Sequence, residues 1–141
     1  MSASDVEHSF PLSPTQQAMV LAGLYRAEAG AYVQQLVVEM RESLAVDSFR
    51  QAWLRVMERH PALRTAFRWD SSGELAQDVY RRVELPWKFQ DWRGLQISEQ
   101  QEKLNEFLKA DRKCGFEIGK APLLRLSVFQ REDHYFNLVW T

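Results

Sequence analysis

Cysteine is nearly absent from this chain of 141 residues. Cys114 stands alone, so no internal disulfide can form, and a reducing compartment fits. No apolar run approaches the ~18 residues of a membrane span. Residues 1–9 are polar and lack the apolar core of a secretory signal, so they read as a disordered lead. A cytoplasmic location is the resulting expectation. Neither sign of charge is in excess: the formal net charge is -1 at pH 7. Such a balance excludes a global field that would draw nucleic acid or an anionic membrane. There is no glycine-rich phosphate loop and no metal-ligand spacing, so neither ATP-driven ligation nor a metal site is indicated.

What is present suits a packed soluble fold. The chain is 45% hydrophobic and 26% charged, enough to bury a core. Its length fits one domain or a piece of a larger one. Five tryptophans point to a well-filled core or a partner surface.

The most informative stretch is Arg59-His60-Pro61-Ala62-Leu63-Arg64-Thr65-Ala66-Phe67, where a helix gives way to a strand. Before it, Phe49, Ala52, Trp53, Val56 and Met57 recur at helical spacing, and Asp47 is a good N-cap for a helix over 48–60. Pro61 has no backbone donor and disfavours helical geometry at His60, which ends that helix. After it, Leu63, Thr65, Phe67 and Trp69 alternate with Arg64, Ala66 and Arg68, the period of a strand. Arg64 points away from the apolar set. It is either a solvated residue or a buried cation that needs a carboxylate.

The remaining elements follow from local signals. Ser13, Pro14 and Gln16 write a helix start, with Ser13 and Gln16 as a capping box. Met19, Leu21, Ala22 and Leu24 give that helix an apolar face fading near Tyr25. Glu28-Ala29-Gly30 reads as a turn. A strand is expected from Tyr32 to Met40, interrupted by the amides of Gln34 and Gln35. These are either an exposed strand end or the lining of a channel. Asp70-Ser71-Ser72-Gly73 joins a hairpin of roughly 63–69 and 75–81. Pro86 makes the short extended piece that follows either an edge strand or a strand start, with Trp87, Phe89 and Trp92 as candidate core pins. Ser98 to Gln101 reads as a second capping box, and Gly115 ends that helix. Cys114 beside it reads as a half-buried small hydrophobe. Leu124, Leu126 and Val128 oppose Arg125, Ser127 and Phe129. With Arg131-Glu132-Asp133 as a turn, a second hairpin returns through Phe136, Leu138 and Trp140.

Three of these regions carry a resemblance. Arg59 to Phe67 is similar to the R-H-x-x-L-R-T-x-F motif of condensation domains of nonribosomal peptide synthetases. Leu12 to Met19 is similar to that family's first motif in its L-S-P-x-Q-x-G-M form, with Thr15 and Ala18 as departures. Phe116 to Arg125 resembles F-D-x-x-x-x-P-L-x-R, with Glu117 in place of Asp. The matches are collinear across residues 10–141.

The resemblance implies an α+β fold, an αβ sandwich like the N-terminal lobe of chloramphenicol acetyltransferase, with a mixed sheet and helices packed on it. It implies amide-bond formation between an acyl donor and an amine, both tethered to carrier proteins by phosphopantetheine arms, in the biosynthesis of peptide secondary metabolites such as antibiotics. No directly bound cofactor is implied. Motif residues carried over are Ser13, Gln16, His60, Leu63, Thr65 and Phe67. In the family an arginine of the second motif supports the active-site loop by pairing with the Asp of H-H-x-x-x-D-G. Arg64 is the position carried over and Arg59 the competing one. Tyr32, Gln34 and Gln35 are candidates for tunnel lining. The histidine motif has no counterpart at His8, His60 or His134, so the chain reads as a lobe truncated before it, without a catalytic residue and inactive alone. Arg64 is then expected to lack its carboxylate, and an exposed sheet edge is expected to favour self-association. The alternatives are a non-catalytic module that binds carrier proteins and part of an acyltransferase using coenzyme A.

Overall fold

The computed structural model describes residues 5–25, 32–69 and 74–141. In chain order the elements are β1 (Val6–Pro11), α1 (Pro14–Tyr25), β2 (Leu36–Met40), α2 (Val46–Arg59), a 3₁₀ turn (Pro61–Arg64), β3 (Thr65–Trp69), β4 (Leu75–Tyr80), β5 (Trp87–Asp91), α3 (Ile97–Cys114), β6 (Leu126–Glu132) and β7 (Tyr135–Trp140). Among the described residues they form an α+β fold with two sheets. The smaller sheet has the order β1-β4-β3 and the larger one the order β2-β7-β6-β5. In the larger sheet only β5 and β6 run parallel, and α3 lies in the connection between them. A parallel pair needs such a crossover.

The larger sheet is covered on both faces, and its sequence alternation sorts the two cores. Leu124, Leu126, Val128, Phe136 and Leu138 face α2, where Met57, Phe49, Trp53 and Leu54 meet them. Phe129 and Val139 face α3, with Trp92, Leu104, Phe107 and Leu108. Trp92 stacks on Phe129 with centroids 4.2 Å apart, and Phe107 meets the same ring edge-on at 4.9 Å. Ala52 and Val56 fall on the solvent side of α2.

Several boundaries differ from the sequence reading, each for a local reason. The expected disordered lead is in part β1: residues 6–9 belong to a strand paired with β4. α2 begins at Val46, so Asp47 lies inside its first turn, where a carboxylate suits the helix dipole. Pro61 fits the start of a 3₁₀ turn, so Leu63 and Arg64 precede β3 rather than belong to it. The second capping box is Gln96 with Glu99, and the Gln96 backbone amide donates to Glu99 Oε2 at 2.9 Å. Val20 is buried in α1, whereas Met19 is exposed. Residues 32–35 precede β2. Phe89 is exposed, unlike Trp92. Cys114 is exposed. Arg131 and Glu132 belong to β6; Arg131 is an extra residue bulged between Gln130 and Glu132, and the turn follows it. The expected turns at Glu28 to Gly30 and Asp70 to Gly73 lie outside the described residues.

Other features stand as read. Ser13 and Gln16 form the reciprocal box: the Ser13 amide donates to Gln16 Oε1 at 2.8 Å, and the Gln16 amide donates to Ser13 Oγ at 3.3 Å. α2 stops at Arg59 with His60 extended. β3 and β4 pair as the predicted hairpin. Gly115 caps α3 at φ 62, a left-handed conformation that favours glycine.

Candidate functional site

Arg64 is the centre of the motif region. It is only 6% exposed. The 3₁₀ turn after Pro61 swings its side chain back beneath the end of α2. Nε donates to the Met57 carbonyl at 3.0 Å, and Nη2 reaches the Glu58 carbonyl at 3.4 Å. Nη1 donates to the Tyr80 carbonyl and to Glu7 Oε2, the latter at 3.0 Å. One guanidinium therefore ties α2, the end of β4 and the first strand together. Expectation and structure differ here: Arg64 has a carboxylate, and it is Glu7 of β1. The bond from Arg64 holds the Glu7 carboxyl below its ordinary pKa.

Around it, the other motif residues divide. Thr65 Oγ1 donates to the Pro61 carbonyl at 3.0 Å and fastens the turn. Leu63 packs on the α2-side core. Arg59 and His60 are exposed. Gln16 Nε2 donates to Gln77 Oε1 at 3.3 Å, joining the start of α1 to β4. Phe67 receives its backbone bond from outside the sheet: its amide donates to the Ile118 carbonyl at 2.8 Å. So Ser13, Gln16, Leu63, Thr65 and Phe67 frame the smaller sheet and its borders.

Beside them, Ala66, Phe67, Arg68, Trp69, Asp78, Tyr80 and Gly119 line a cleft of about 260 Å³. Asp78 accepts from Ser9 Oγ at 2.7 Å and from Arg68 Nε at 2.9 Å. Burial alone raises its pKa, but the bonds from Arg68 and Ser9 outweigh that and lower it.

A second polar cluster lies at the end of α3. The Asp111 carboxylate, 9% exposed, accepts from Gln35 Nε2 at 2.7 Å, from Thr141 Oγ1 at 2.6 Å and from Arg125 Nε. Arg125 also donates to the Gly115 carbonyl at 2.7 Å and lies over the Phe116 ring. Burial pushes the Asp111 pKa up, yet Arg125, Thr141 and Gln35 together bring it below the ordinary carboxylate value. Of the three tunnel candidates, Gln35 is engaged in this cluster. Tyr32 and Gln34 lie outside it, and Tyr32 is exposed with φ 64, uncommon for a side chain of its size.

Among the described residues no group of three His, Cys, Asp or Glu side chains could hold a metal ion. None of the described helices is long and apolar enough to cross a membrane.

The condensation-domain family matches residues 6–141. The chain belongs to that family. Among curated relatives, one linear gramicidin synthase polypeptide of Brevibacillus parabrevis is 40% identical over 136 residues, covering 96% of this chain and 3% of that protein. Another polypeptide of the same synthase is 39% identical over 136 residues, covering 96% of this chain and 2% of its own length. The condensation-domain chain thus spans a few per cent of these relatives. Among solved structures, the first condensation domain of the calcium-dependent antibiotic synthetase, in complex with a substrate analogue, superposes with a TM-score of 0.84 at 12% identity. That match covers 96% of this chain and 34% of the solved one, and it shows the fold.

Three carboxylates of these clusters escape a reading of the sequence. Glu7 lies in the segment that reads as a lead. Asp78 sits mid-hairpin with no local signal. Asp111 does carry one: it falls on the same face as Leu104 and Leu108 of α3, and a carboxylate on an apolar stripe announces a buried partner.

Proposed function

We propose that this chain supplies the framework of a condensation domain that joins a carrier-bound acyl donor to a carrier-bound amine. The amine nitrogen attacks the thioester carbonyl, the C–N bond forms, the C–S bond breaks, and the carrier thiol leaves with the proton the amine gives up. Tethering both partners on phosphopantetheine arms supplies proximity. Carrier proteins and the rest of a synthetase module are the partners, and a cytoplasmic setting suits them. The observation that carries this reading is the family match over 6–141, with the motif residues Gln16, Arg64 and Phe67 each bonded to a different element of the fold.

Within that reading the motif residues are structural. Arg64 supports the site region through Glu7 and the carbonyls at the end of α2. Tyr32 and Gln34 are the residues available to line a substrate passage, while Gln35 is committed to Asp111. The three histidines are His8, His60 and His134, no two adjacent, so the proton-handling group of the reaction is supplied from outside these residues.

The test is a chimera. Residues 6–141 replace the matching segment of a working gramicidin synthase condensation domain, and dipeptidyl carrier is read by mass spectrometry. Product from the chimera, with none from this chain alone, is the expected result. A folded chimera that binds loaded carriers but never forms the amide returns the reading to a binding module. Turnover with acyl coenzyme A and a free amine moves it to the other acyltransferase branch.

A further inference from the structure

The third motif region, Phe116 to Arg125, ends in a side chain that builds the polar cluster at the end of α3. Arg125 bonds the Asp111 carboxylate there, along with the Gly115 carbonyl. Gln35, directly before β2, enters the same cluster.

The Gln35 amide is occupied at both ends. Nε2 donates to the Leu108 carbonyl at 3.2 Å and to Asp111 Oδ2 at 2.7 Å, and Oε1 accepts from Arg112 Nε at 3.3 Å. All three partners belong to the C-terminal part of α3. Donors and an acceptor on one short stem are what a carboxamide has and a carboxylate lacks. The anchor is itself fixed. Asp111 is buried and also accepts from Arg125 and from Thr141 Oγ1, the latter at 2.6 Å. It keeps both of those partners when Gln35 is removed. Gln35 is thus the member whose loss frees a segment and leaves the cluster standing.

That segment has an unusual backbone. Residues 32–35 belong to no strand, and Tyr32 and Gln34 are exposed. Tyr32 is held at φ 64. A large side chain stays in the left-handed region only where its surroundings hold it there, and such strain gathers where a protein presents groups to a ligand.

On the condensation reading proposed above, with Tyr32 and Gln34 lining the substrate passage, we infer that Gln35 is a positioning residue of the reaction. It clasps residues 32–35 to the end of α3, so that Tyr32 and Gln34 meet the carrier-bound substrate in one fixed arrangement. Gln35 acts through these two neighbours and touches no substrate, because its own amide is engaged on α3.

Two measurements test this. Hydrogen exchange read by mass spectrometry on the full chain follows the clasp without any activity. Gln35→Ala should speed exchange in the peptide covering 32–36, while β6, β7 and the body of α3 keep their protection. Unchanged exchange at 32–36 overturns the inference, and so does a folded variant in which protection falls throughout the chain. If Gln35→Ala is unfolded by circular dichroism, Gln35→Glu takes its place: the shape is kept, but a carboxylate then faces Asp111 and the Leu108 carbonyl. The second measurement uses the chimera carrying residues 6–141 and the rate of dipeptidyl carrier formation. Gln35→Ala should lower kcat/KM by about 10-fold, since small displacements of positioned groups cost factors of this order. The double variant Tyr32→Ala, Gln34→Ala should lose a similar factor, and adding Gln35→Ala to it should lose nothing more. A residue that only stabilises the fold would lose its factor again, and that multiplicative loss overturns the inference. A chimera indifferent to Tyr32→Ala and Gln34→Ala also overturns it, while leaving the condensation reading intact. A parent chimera that forms no amide removes that reading, and the role of Gln35 in the reaction falls with it.

Discussion

Truncating Arg64 to alanine should be among the most damaging single changes in this chain. Two losses add. The side-chain methylenes leave a buried site, at about 0.8 kcal/mol each. The Met57 carbonyl loses its donor at 3.0 Å, and a buried acceptor left unsatisfied costs about 1–3 kcal/mol. Glu7 contributes little to this sum because it is partly exposed and returns to water. The total is about 3–5 kcal/mol, a large share of the roughly 5–15 kcal/mol of a typical domain. Urea titration followed by tryptophan fluorescence measures it, and the thermal midpoint should fall by on the order of 10 °C. Arg64→Lys should lose less, since it keeps charge and stem but not the fork that reaches α2, β1 and β4 together. An Arg64→Ala variant as stable as the parent, to within about 1 kcal/mol, would refute the assignment of Arg64 as the joint of these elements.

Other outcomes follow from the same reasoning. Gly115→Ala has space for its methyl but not for its backbone, at φ 62 and ψ -154, and should lose about 1–3 kcal/mol in the same titration. Trp92→Ala removes the ring stacked on Phe129 and should cost about 3–5 kcal/mol. Glu7, Asp78, Asp91 and Asp111 all have lowered carboxyl pKa values, with Asp91 at about 2. Folded molecules therefore bind fewer protons than unfolded ones in acid. Their stabilisation is present above pH ~4 and lost as pH falls through the folded values. Asp111→Asn should flatten that acid limb in pH-dependent denaturation.

Whatever a few neighbouring residues decide is legible in the sequence. Ser13 and Gln16 cap one another across a single turn, Pro61 stops α2, and the alternation from Leu124 to Val128 names both cores of the larger sheet. Contacts between distant segments are less visible. Nothing near Glu7 announces Arg64, and nothing near Asp78 announces Ser9. Strand faces also fail where the element itself is misjudged. Leu63 and Arg64 lie in a 3₁₀ turn, so Ala66 is buried while Trp69 is exposed. The expected pairing of Arg64 with a later loop comes from the family pattern, and the chain offers a nearer carboxylate.

The smaller sheet is complete once residue 80 has been made, because β1, β3 and β4 all lie before it. The larger one is different: among the described residues β2, at Leu36–Met40, adjoins only β7, at Tyr135–Trp140. On a ribosome, β2 must wait as a lone apolar ribbon until the far end of this segment emerges. Non-local pairing of this kind is slow and open to aggregation. Expression at low temperature or with added chaperone should therefore raise the soluble yield far more than any change to the finished surface.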